Sequence, residues 1–195
     1  MAGGIRRTRL TGNLTDSRVS HWLKPTGVKS VQKFTIDTSV ILTATLTTAV
    51  DTGNSYVVFL GSVSSQNTAV NRDLGRLVLT NSTTVTATIS SAQSVISGMV
   101  IECWPGLIKS LQVSTITIST AVTTGTATIN AVTVAKTLLL WMGTSGNIGD
   151  ATTHDQATSD MSLTNATTVT MTLGAGAGGG GGLTMVGGFT VVEFY

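Results

Sequence analysis

Leu79-Thr80-Asn81-Ser82-Thr83-Thr84-Val85-Thr86-Ala87-Thr88-Ile89 returns further along the chain as Leu163-Thr164-Asn165-Ala166-Thr167-Thr168-Val169-Thr170-Met171-Thr172-Leu173. Within the second copy Val169, Met171 and Leu173 fall two residues apart, so they share one face of an extended strand, and threonines fill the other. Thr suits that second face because its branched β-carbon fits the pleat while its hydroxyl meets water. The Asn before each run is a turn residue. Read this way, the stretch is a turn leading into a half-buried β-strand, present twice.

Working outward, other segments recur in the same order. Val28-Lys29-Ser30-Val31-Gln32 returns as Ile108-Lys109-Ser110-Leu111-Gln112, each shortly after a Pro and a Gly. Thr43-Ala44-Thr45-Leu46 returns as Thr126-Ala127-Thr128-Ile129, and Val57-Val58-Phe59-Leu60-Gly61 as Leu139-Leu140-Trp141-Met142-Gly143. Val100-Ile101-Glu102-Cys103-Trp104 returns as Val191-Val192-Glu193-Phe194-Tyr195. Composition bias alone does not preserve order, so these matches predict a duplicated module. The expected organisation is an extended basic arm over residues 1–25, one module over 26–104 and a second over 105–195.

Short β-branched and aromatic runs separated by Gly, Asn, Asp and Ser predict an all-β fold of two small sandwich or jelly-roll-like modules. Expected strands in the first copy cover residues 35–38, 40–46, 56–60, 77–79, 85–89 and 99–104. The copies diverge at residues 62–76 against 144–162, and at 90–98 against 174–188, and those segments are expected to be loops. Phe59 and Trp141 are expected in the core. Glu102 and Glu193 are expected as edge or surface charges, one per module. Modules of this size have marginal cores alone, which predicts packing between modules or between chains.

Composition removes several classes of function. The chain has 195 residues, 10% charged and 41% hydrophobic, with 37 Thr, 19 Ser and a formal net charge of +2. It is too hydrophobic and too weakly charged for intrinsic disorder. One thiol, Cys103, forms neither an internal disulfide nor a cysteine zinc site, and is expected as a small core residue. No apolar run reaches the ~20 residues of a membrane span, and no apolar segment of signal type follows Arg6 and Arg7. Synthesis in a cytoplasm without a signal peptide is therefore expected, and the sequons at Asn13, Asn81 and Asn165 are set aside.

Catalytic and cofactor signals are weak. His21 and His154 lack partners at metal-ligand spacing, and Asp150, Asp155 and Asp160 lack the ligand spacing and turn Gly of a calcium loop. No nucleophile-elbow pattern occurs. The tract Gly174-Ala175-Gly176-Ala177 continuing through Gly178, Gly179, Gly180, Gly181 and Gly182 precedes a strand-like run, whereas a phosphate loop requires a helix after its glycines. No enzyme activity, cofactor or metal is expected. The tract is read as an exposed loop suited to surface recognition.

Arg6, Arg7, Arg9, Arg18 and Lys24 place five of the 11 Lys+Arg ahead of the first module. With Trp22 among them, they form an arm suited to docking on an acidic protein surface and ordering there; the weak net charge disfavours nucleic acid.

Taken together, the Thr/Val-rich module, the Leu-Thr-Asn-x-Thr-Thr-Val-Thr strand, the terminal Val-Val-Glu-Phe and the connector Pro105-Gly106-Leu107-Ile108-Lys109-Ser110-Leu111-Gln112 resemble tailed-bacteriophage virion structural proteins, over residues 28–195. The resemblance implies a β-rich virion component, homo-oligomeric with a trimer favoured, made in the host cytoplasm and carried on the capsid surface. As a decoration or cement protein it would bind the major capsid protein, or another virion protein, through its arm. The alternatives are a tail-fibre component that meets a host surface receptor through its variable and Gly-rich loops, and a cellular glycan-binding β-sandwich module.

Overall fold

Alternation along the chain is realised as strands in a computed structural model, which describes residues 27–64, 75–89, 94–119, 122–147, 159–174 and 184–195. In the first half the order is β1 (Val28–Asp37), β2 (Thr43–Thr45), a short 3-10 turn (Thr52–Asn54), β3 (Ser55–Ser64), β4 (Gly75–Asn81), β5 (Thr84–Ile89) and β6 (Ser94–Cys103). The second half follows the same order: β7 (Ile108–Ser119), β8 (Thr124–Thr128), a 3-10 turn (Val134–Lys136), β9 (Thr137–Asn147), β10 (Ser159–Asn165), β11 (Thr168–Leu173) and β12 (Thr184–Phe194). The fold is all-β.

Pairing is also shared. β6 lies between β1 and β3, and β12 lies between β7 and β9; β5 lies between β2 and β4, and β11 lies between β8 and β10. Each half is thus a sandwich of two antiparallel three-stranded sheets. The opening stretch forms the β4–β5 and β10–β11 hairpins. Asn81 Oδ1 accepts hydrogen bonds from Thr83 N (2.9 Å) and Thr83 Oγ1 (3.1 Å), and Asn165 Oδ1 accepts the same pair from Thr167 at the same distances. An Asn side chain thereby holds each turn, which fixes the register of the strands it joins.

Between the sheets of the first half lies a core of Ile36, Val57, Leu77, Val85, Ile96 and Val100, which Met142 of the second half completes. The second core gathers Ile116, Ile118, Val169, Met171, Met185 and Phe189. A cross-strand exchange separates the two cores. Phe34 stands opposite Gly98, whereas the corresponding pair in the second half is Ser114 opposite Phe189. A β-carbon on Gly98 would come 2.5 Å from Phe34 Cζ and 2.9 Å from Leu77 Cδ1, so one ring per pair fills the space.

A single bridge, Arg76 opposite Gly143, joins β4 to β9 and merges two sheets into one of six strands, β2-β5-β4-β9-β12-β7. Gly143 has φ of 92°, and a β-carbon there would collide with the Gly75 carbonyl. Only glycine permits this approach. A third cluster spans the halves, with Tyr56, Ile101 and Cys103 packed on Ile108, Leu111, Val192 and Phe194.

Several boundaries depart from the sequence reading. Residues 40–46 supply only the short β2, and Val40, Ile41 and Leu42 are exposed. β3 continues to Ser64, β9 to Asn147, β6 begins at Ser94 and β12 at Thr184, so the divergent segments are partly strand. Asp160 accordingly lies in β10 and not in a loop.

Candidate functional site

The residues first singled out for docking and recognition, namely Arg6, Arg7, Arg9, Arg18, Trp22 and Lys24 in the arm and Gly178 to Gly182 in the tract, lie outside the described residues, as do His21 and His154. The described residues hold two other groupings of charge.

The first is a glutamate node in each half. Glu102 and Glu193 are 3% and 2% exposed, so they are interior groups and not the surface charges the sequence suggested. Glu102 Oε1 accepts from Lys29 Nζ (2.7 Å) and from the Asp51 backbone N–H (3.0 Å), and its Oε2 accepts from Ser30 Oγ (3.1 Å). Glu193 repeats the set with Lys109 (2.8 Å), the Thr133 N–H (2.9 Å) and Ser110 (3.2 Å). Burial pushes Glu102 up, but the Lys29, Asp51 and Ser30 hydrogen bonds outweigh it and the net shift is downward. The Lys109 hydrogen bond and the Thr133 N–H bring Glu193 down to about 2.

A carboxylate at this position ties three segments together: the first strand of its half, the last strand, and the segment before the 3-10 turn. Each donor favours the ionised form, which suits a fixed structural anion and opposes proton transfer near neutral pH. The repetition of Lys-Ser and Glu in both halves was the signal for this grouping. Lys29 Nζ also stands 5.7 Å from the Trp104 ring centroid, a cation–π contact on the exposed side of the node.

The second grouping lies at the junction of the halves. Arg76 lays its aliphatic stem on Gly188, where an added β-carbon would come 2.5 Å from Arg76 Cδ. Its Nε is buried without a hydrogen-bond partner, and burial pushes its pKa below the ordinary value. The guanidinium borders a cleft of about 230 Å3 whose other walls include Val113, Ser114, Thr115 and Phe189. A neighbouring cavity of about 110 Å3 is lined by Tyr56, Val57, Leu77, Leu111, Met142 and Thr190. Both spaces are seams between the halves.

Phe59 and Trp141 also meet across this junction, edge to face, with centroids 5.1 Å apart. Trp141 is 42% exposed, so it is a junction residue and not the core residue expected. Cys103 is buried as expected, and burial raises its thiol pKa, with the charge of Glu102 adding to the effect. Among the described residues there is no group of three or more His, Cys, Asp or Glu placed to hold a metal, and no helix is long and apolar enough to cross a membrane. No family model, curated protein or solved structure matches the chain.

Proposed function

We propose that this chain is a structural protein of a bacteriophage particle, of the decoration or cement kind, which attaches through its N-terminal arm and holds the assembled shell. The supporting observation is how the chain distributes its positive charge. In the body, Lys29 and Lys109 are bound to interior glutamates, Arg76 is folded into the junction and Lys33 and Lys136 stand exposed and apart, whereas five of the 11 basic side chains fall together in residues 6–24. This local density of cations in the arm suits an acidic partner, for which the major capsid protein of the shell is the proposed identity. Binding the assembled shell and not its free subunits stabilises the shell by mass action. Glu102 and Glu193, the carboxylates placed alike in the two halves, are held as scaffold, which favours a non-catalytic role.

Deletion of residues 2–25 tests the proposal. The truncated chain should keep its β circular-dichroism signature and lose co-sedimentation with particles assembled from the head genes that neighbour its own. Retained shell occupancy by the truncated chain would overturn it. A tail-fibre role is the second reading, supported by the Gly178–Gly182 tract in the second half. On that reading, replacing the tract with a short turn lowers host adsorption and leaves particle stability unchanged.

A further inference from the structure

The seam between the two halves is heterologous: the first half contributes the β4 edge with Tyr56, and the second contributes the β9 edge with the outer face of β7. Corresponding positions exist in the other half, and there the described residues are more exposed. Met142 is 2% exposed at the seam, while its counterpart Leu60 is 52% exposed; Ile108 is 7% exposed, while its counterpart Val28 is 56%. Gly143 closes on the Gly75 carbonyl, while its counterpart Gly61, with φ of 132°, faces open space. Among the described residues β3 pairs along its length only with β6, and β10 only with β11, whereas β4 and β9 are bridged to each other.

We propose that a second copy of this chain fills those positions, with the β10 edge of one copy joining the β3 edge of the next in the arrangement that joins β4 to β9 within a chain. Leu60 takes the place of Met142 and inserts beside Met161, the counterpart of Leu77. The charges at the seam change in a complementary way. Arg76 faces the Val113 wall within the chain; at the open positions Asp160 replaces Arg76 and Lys33 replaces Val113. Between copies, the carboxylate of Asp160 therefore meets Lys33, together with the hydroxyls of Thr35 and Ser97, which lie 3.5 Å apart on the same face. Open strand edges invite such pairing, and a heterologous contact closes into a ring or runs on as a filament according to the angle it sets. Self-association through this seam does not depend on attachment to a shell.

Sedimentation velocity on the full chain at micromolar concentration is the test. The wild type should self-associate; Leu60→Asp should weaken association by roughly 100-fold, because a charge replaces a buried apolar contact. Asp160→Lys should weaken it by roughly tenfold, and the addition of Lys33→Asp should restore most of that loss, since like charges facing each other become opposite ones again. All three residues are exposed, and circular dichroism verifies that each variant is folded. A monomeric wild type, association indifferent to Leu60→Asp, or no rescue by the double charge exchange would each overturn the proposal.

Discussion

Met142 belongs to a strand of the second half but completes the core of the first, so its truncation should weaken the seam and the first core together. It is 2% exposed and packs with Val57 and Leu77 next to a cavity of about 110 Å3. Met→Ala at a buried site costs about 2–5 kcal/mol, and the cost rises by about 24 cal/mol for each Å3 left empty. Here the space is bounded by hydrogen-bonded strands, which resist collapse, and a void is already present. The expected loss is therefore about 3–4 kcal/mol, or roughly 6–16 °C in melting temperature for a chain of this length. Met142→Leu, which nearly conserves volume, should lose less than about 1.5 kcal/mol. Urea unfolding followed by tryptophan fluorescence gives both values, with Trp141 at the seam and Trp104 beside the first glutamate node. A loss below about 1 kcal/mol for the alanine variant, or equal losses for alanine and leucine, would refute the assignment of Met142 to the first core.

Two further outcomes are expected. Glu193 has a folded pKa of about 2 against an ordinary value of 4.5, so its contribution to stability is present above pH 4.5 and is lost as pH falls from there toward 2; Glu102 acts in the same direction. Urea midpoints measured from pH 7 to pH 2 should be level near neutrality and fall through that acid window, and Glu193→Gln should flatten the fall. At the exchanged aromatic pair, Gly98→Phe alone should cost about 1–3 kcal/mol by overpacking against Phe34, and adding Phe34→Ser should recover part of that cost by recreating the Ser114–Phe189 arrangement. A double variant less stable than Gly98→Phe alone would show that the two sites do not share one space.

Much of the β architecture was legible because it is local. Thr alternation places Val169, Met171 and Leu173 on one face, and Asn81 and Asn165 mark the hairpin turns that the structure contains. The matched segments lie in strands of the same order, Lys29 and Lys109 in β1 and β7 and Glu102 and Glu193 in β6 and β12. Their burial was not legible. A glutamate reads as a surface residue until its donors are known, and those donors arrive from Lys29, Ser30 and Asp51, far away along the chain. Trp141 departs from its expected core position for a related reason: its strand is apolar because β9 faces the other half as well as its own core. Strand ends extend beyond the alternating runs through pairing, as where β6 begins at Ser94, whose N–H donates to Thr38 Oγ1 at 2.9 Å.

Gln32 and Gln112 illustrate a further consequence of this fold. Gln32 donates to the Thr48 carbonyl at 2.8 Å and accepts from the Thr48 N–H at 3.0 Å; Gln112 does the same with Asn130 at 3.1 and 2.7 Å. Each side-chain amide thus acts as a surrogate peptide group toward a strap that is otherwise fastened to the opposite sheet, through Leu46 and Val50 in one half and Ile129 and Val132 in the other. The strap is laced to both layers of its sandwich, so parting the layers breaks the Gln32–Thr48 and Gln112–Asn130 pairs. The chain carries, in effect, one built-in gauge of layer separation for each half.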